Sequence, residues 1–96
     1  MSKNFNMDSH VYEQSTDILK ALGHPIRLKI MHTLMCRGPL SASELWRAVR
    51  TPQSTVSQHS NKLKALKIVN YERKGLEVVY RVDNPIVIKI IKTLGL

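Results

Sequence analysis

Val11, Ser15, Ile18, Leu19 and Leu22 recur at the three- and four-residue spacing of a single helix face, and Gly23 ends the run. Pro25 opens a second periodic stretch, in which Ile26, Leu28, Ile30, Met31, Leu34 and Met35 spread over much of the circumference. That distribution predicts a buried central helix, stopped by Gly38 and Pro39. Leu40 reads as a strand of one or two residues, and Ser41 with Glu44 forms the Ser-x-x-Glu pattern of a capping box before a short third helix. Leu45, Trp46, Ala48 and Val49 make its apolar side. Arg50 and Thr51 then turn into a fourth helix, with Thr51 as its expected cap and Pro52 at its first position.

In that fourth helix Val56, Leu63 and Leu66 lie at i, i+7 and i+10, and the other positions are polar or basic with no acid among them. Ser60 falls between Val56 and Leu63 on the apolar side, where its hydroxyl is expected to bond back to the Val56 carbonyl. Ile68 to Arg73 and Leu76 to Val82 are rich in Val, Ile and Tyr and predict two strands joined by Lys74 and Gly75 as a two-residue turn. Asn84 and Pro85 start a last helix, PIVIKIIKTLGL, too apolar to be covered on one face only. The result is a mainly α chain with a small β-hairpin, in the order α-α-(short β)-α-α-β-β-α, whose third and fourth helices form a helix-turn-helix unit. Residues 1–8 are expected to be flexible and residues 9–96 to form one domain, with 9–22 and 84–95 as dimerisation helices.

Charge is sorted along this pattern. The 96 residues carry a net charge of +8, but from Leu45 to Leu76 seven basic residues stand against one acid, Glu72. An ordinary solvated helix face mixes acids with bases, so the imbalance points to a polyanion. A membrane is the weaker partner: no apolar run approaches the roughly 18 to 20 residues of a span, and the first 20 residues lack a secretory core. A single cysteine, Cys36, excludes an internal disulfide framework and suits a cytoplasmic location. There is no phosphate-cradling glycine loop, no nucleophile with a recognisable base and no carboxylate pair in one cleft, so an enzyme is not expected.

The segments ALGHPIRLKIMHTL (Ala21 to Leu34), LSASEL (Leu40 to Leu45) and PQSTVSQH (Pro52 to His59), in this order, resemble the ArsR/SmtB family of bacterial winged-helix repressors over nearly the whole chain from Ser15 to Pro85. PQSTVSQH and a short polar wing ending in Tyr80 are most similar to the family's non-metal, PagR-like branch. The resemblance implies a winged helix-turn-helix homodimer that represses transcription from an imperfect inverted repeat, with two recognition helices in successive major grooves of double-stranded DNA.

On this reading Gln53, Ser54, Thr55, Ser57, Gln58 and His59 are the candidates for base contacts, since amide and hydroxyl groups match base edges. Arg47, Arg50, Lys62 and Lys64 would hold phosphates, and Arg73 and Lys74 at the hairpin tip would reach the flanking minor groove. Val11, Ile18, Leu19, Ile86, Ile90, Ile91 and Leu94 are the candidates for the subunit interface.

Family metal sensors use a cysteine pair at the third helix or Asp and His on the last. Here the former positions are Ser41 and Ser43, and the last helix has no His, Asp, Glu or Cys, so neither a metal nor another cofactor is expected. Two alternatives stay open: a redox-responsive repressor using Cys36, although a buried structural role is favoured for that thiol, or a winged helix that binds protein, such as an antagonist of a related repressor.

Overall fold

The computed structural model describes residues 7–96, in the order α1 (Ser9–Leu22), α2 (Pro25–Arg37), β1 (Leu40–Ser41), α3 (Ala42–Val49), α4 (Gln53–Ala65), β2 (Asn70–Lys74), β3 (Glu77–Arg81) and α5 (Pro85–Thr93). The three strands form one antiparallel sheet in the order β1-β3-β2. Leu40 pairs with Tyr80 across β1 and β3, and Tyr80 pairs in turn with Tyr71 of β2. Of the stretch expected to be flexible, residues 1–6 lie outside the described residues, whereas the Asp8 carboxylate caps α1 by accepting the His10 N–H at 2.9 Å.

The core gathers on α2, as its all-round apolar pattern predicts. Ile30, Met31 and Leu34 are buried against Leu45 and Val49 of α3, Val56 and Leu63 of α4, Tyr80 of β3, and Val87 and Ile91 of α5. The helices, α4 excepted, start on a side-chain cap. His24 caps α2 through Nδ1, which accepts the Ile26 N–H at 3.1 Å. The capping box of α3 is complete: Ser41 N–H donates to the Glu44 carboxylate at 2.8 Å and Glu44 N–H to the Ser41 hydroxyl at 3.2 Å. Asn84 caps α5 by accepting the N–H groups of Ile86 and Val87.

Three details depart from the sequence expectation. Thr51 does not cap α4: Arg50 takes a left-handed conformation (φ 53°, ψ 47°), and the Thr51 hydroxyl turns back to donate to the Val49 carbonyl at 3.1 Å. The N-cap is Pro52, which makes no side-chain cap bond. In the hairpin, Lys74 pairs with Glu77, so the turn residues are Gly75 and Leu76 rather than Lys74 and Gly75. Gly75 has φ 64°, and a two-residue turn with positive φ at its first position favours glycine there, which moves Lys74 into the strand. Ser60 is buried, but its hydroxyl makes no bond to Val56 or to any other group. The space beside it, bounded by Leu45, Trp46 and Tyr80, has no room for a water molecule.

The C-terminus of α4 closes without glycine. Lys67 is left-handed (φ 59°), and Ile68 N–H reaches back to the Leu63 carbonyl at 3.0 Å, bringing two buried apolar side chains together in the manner of a Schellman motif.

A buried hydroxyl without a partner carries a desolvation cost that alanine removes. Ser60→Ala is therefore expected to raise unfolding free energy by about 1 kcal/mol, read from the urea midpoint at unchanged slope. A loss of stability would show that the hydroxyl has a partner after all.

Candidate nucleic-acid interface

Burial of Val56, Ser60 and Leu63 sets the rotation of α4 about its axis, and the opposite face is exposed. At 100° per residue its centre is the line Ser54, Gln58 and Asn61, with Lys62 beside it, all exposed. Gln53 is exposed at the first turn. Thr55, Ser57, His59 and Lys64 sit on the flanks and are half-buried. Asn61 was not among the expected base-contacting residues, although the i, i+4, i+7 spacing of Ser54, Gln58 and Asn61 carries the signal.

His59 is drawn away from the exposed line. Its ring lies 4.3 Å, centroid to centroid, from that of His24 at the start of α2. Burial first, then electrostatic repulsion from His24, Arg27 and Lys62, holds the His59 imidazole below its ordinary range. Lys64 is also engaged: its Nζ stands 4.2 Å from the centre of the Tyr71 ring, tying α4 to β2 by a cation–π contact.

At the other end of the motif Arg47 and Arg50 are exposed, and with Arg37, Leu40 and Glu44 they line an open groove of about 310 Å³. Hydrogen bonds from the Ser41 backbone and hydroxyl, helped by Arg47, hold the Glu44 carboxyl below the usual carboxylate range, so the one acid of this groove is committed to its capping role. On the hairpin Arg73 and Lys74 are both exposed. Lys74 lies 3.7 Å from Glu72, which Arg81 shares at 3.7 Å. Exposed pairs of this kind are worth roughly 0–1 kcal/mol, so they leave Lys74 available to a polyanion.

The apolar candidates divide. Val11, Leu19, Ile86 and Leu94 are exposed, Leu19 to 63% and Leu94 to 57%, while Ile18 and Ile90 are half-buried. Ile91 is fully buried in its own core and offers nothing to a partner: on a nine-residue helix it shares the inward face with Val87, four residues earlier. Ile86, Lys89, Ile90, Thr93 and Leu94 line a shallow apolar groove of about 330 Å³ on the outer side of α5. Cys36 is exposed, not buried as favoured from the sequence, because the α2 core face runs through Ile30, Met31 and Leu34 and leaves Cys36 at the outer side of the last turn. Ser41 Oγ sits inside the capping box, 3.3 Å from Ser43 Oγ. Among the described residues no three His, Cys, Asp or Glu side chains come together as a metal site, and no helix is long and apolar enough to cross a membrane.

A helix-turn-helix with a basic hairpin beside it is thus assembled from local caps and one core, and comparison with known proteins places it. Residues 24–71 match the family described as "Bacterial regulatory protein, arsR family". The transcriptional repressor PagR of Bacillus anthracis is 40% identical over 86% of this chain and 83% of its own. The chain belongs to the ArsR family of bacterial transcriptional regulators. The crystal structure of PagR superposes with a TM-score of 0.82 at 38% identity, covering 91% of this chain and 99% of that one. NolR from Sinorhizobium fredii gives 0.83 at 27% identity, covering 99% and 94%. A homologue of the cadmium resistance regulatory protein CadC from Staphylococcus aureus is 31% identical over 70% of this chain and 55% of its own. As a family of regulators, these relatives agree with the absence of a catalytic constellation from the sequence.

Protonation of the His59 imidazole is linked to folding. Above pH of about 6.5, the ordinary histidine value, the imidazole is neutral in both folded and unfolded chains and costs nothing. As pH falls below it the unfolded chain takes up the proton first, so stability is lost as pH drops through the folded-state value. Urea unfolding between about pH 7 and pH 5 is expected to show a slope that His59→Gln reduces; an unchanged slope would remove His59 as its source. At the turn, left-handed Arg50 is strained by its Cβ. Arg50→Gly is expected to raise stability by about 1 kcal/mol while weakening binding to any duplex, a divergence that melting and binding titrations on the same variant would show.

Proposed function

We propose that the protein is a homodimeric, sequence-specific DNA-binding repressor that acts in the cytoplasm on an imperfect inverted repeat without sensing a metal. The observation that carries this reading is the exposed line of Ser54, Gln58 and Asn61 on α4, flanked by Arg47 and Arg50 at one end, Lys62 along its side and Arg73 with Lys74 on the hairpin. Gln and Asn present a paired donor and acceptor to adenine edges, and the short hydroxyl of Ser54 suits several bases. The surrounding cations hold phosphates and set register. Arg73 and Lys74 stand at the tip of a hairpin whose base is fixed by β1, a geometry suited to a minor groove beside the major-groove site.

Dimerisation is supported by what one protomer leaves uncovered. A chain of this size has little core for its surface, and α1 and α5 expose Val11, Leu19, Ile86 and Leu94. Two such protomers related by a twofold axis present two α4 helices, as an inverted repeat requires. The reading without a metal rests on Ser41 and Ser43, whose neutral hydroxyls are poor ligands for thiophilic ions. PagR is named a repressor, which supports the direction of regulation.

Footprinting and binding titrations on the chain's own promoter region test this. Two protected half-sites with centres about 34 Å apart are expected, with affinity falling steeply as salt rises. Gln58→Ala is expected to weaken the specific site by about 1–3 kcal/mol and a random duplex little, whereas Arg47→Ala weakens both alike. Equal losses for Gln58→Ala on both duplexes remove its base contact, and a wild-type monomer indifferent to duplexes at low salt overturns the reading.

A further inference from the structure

Where the end of α1, the start of α2 and the C-terminal half of α4 meet, the surface opens into a groove of about 480 Å³. That lies within the roughly 300–1,000 Å³ of small-molecule sites. Ala21, Gly23 and Leu66 line it together with the polar Lys20, Arg27 and Lys62, against a single acid, Asp17. Among the described residues none of the three cations forms an ion pair. Arg27 Nη2 donates to the Lys20 carbonyl at 3.1 Å, which anchors the guanidinium at the end of α1, while the neighbouring Nε–H is buried without an acceptor. One edge of a bidentate fork is therefore half filled, in a place where two lysines add charge and the one carboxylate in the lining, Asp17, forms no ion pair with any of the three cations. His59, just outside the groove, registers the same field, since Arg27 and Lys62 are among the groups that disfavour its protonation.

We infer that this groove binds a phosphate-type oxyanion, with Lys20, Arg27 and Lys62 as its ligands. The oxyanion is either a free phosphate or a backbone phosphate of a bound duplex; only the second source rests on the DNA-binding reading above. Lys62 stands beside Asn61 on the exposed face of α4, so a free anion in the groove occupies a cation adjoining the proposed DNA face and competes with the duplex.

The test uses the full chain, amide NMR and binding titrations, with Lys20→Gln and Arg27→Gln as variants. Lys20→Gln retains the backbone carbonyl that Arg27 uses, so it keeps the probe valid if Arg27→Gln fails to fold. A free source predicts that inorganic phosphate shifts the Gly23, Arg27 and Lys62 amides of the wild type, and that either variant abolishes the shifts. A backbone source predicts no such shifts with inorganic phosphate, but losses of about 3- to 10-fold on specific and random duplexes alike, with the salt slope lowered by about one. Absence of phosphate shifts together with unchanged duplex affinity in both variants overturns the inference while leaving the DNA-binding reading intact. Phosphate shifts in a protein that binds no duplex would do the reverse.

Discussion

The seating of Val56, Ser60 and Leu63 against α2 and α3 is the constraint on which the rest of the protein depends. A helix has only one rotation that buries a given stripe, and this one leaves Ser54, Gln58 and Asn61 outermost. The helix is aimed from its other end by Arg50, whose left-handed backbone reverses the chain within two residues, and by the capping box that fixes the start of α3. Small changes in any of these would turn or tilt the exposed line without unfolding the domain. Specificity in such a module resides in orientation as much as in side-chain identity.

Local rules are broken most often in this same region. Arg50 occupies a conformation that glycine would hold more easily, Ser60 buries a hydroxyl with no partner, and His59 is half-buried among cations. The hairpin and the caps of α1, α3 and α5 follow their local preferences closely. Departures that cluster in one motif are expected where function competes with stability. The first two each cost on the order of 1 kcal/mol, which a well-formed core around α2 tolerates, and the cost at His59 arises only as the pH falls.

Surface chemistry divides along the same lines. The motif is strongly cationic and the hairpin carries Arg73, Lys74 and Arg81 against Glu72 and Glu77, while α1 and α5 leave apolar side chains exposed. A chain with a polyelectrolyte face and an uncovered apolar face has two different demands on its surroundings. Salt screens the first and strengthens the second, so the two contacts respond oppositely to ionic strength.

Local patterns are what the sequence by itself determined. The order and kind of all eight elements, the capping box at Ser41 and Glu44, the buried role of α2, the resemblance to ArsR regulators and the cationic stretch from Arg47 to Lys74 were legible because they depend on residues near one another in the chain. Other features arise from contacts between residues far apart, or from a backbone choice without its usual residue. Nothing in the sequence marks Arg50 or Lys67 as left-handed, since neither is glycine. Only packing placed His59 against His24, 35 positions earlier, left Ser60 without an acceptor, turned Cys36 outward and put Ile91 inside while Leu94 stayed out. Helical period tells which residues share a face, but which face the core takes is decided by the shape and volume of the elements it meets.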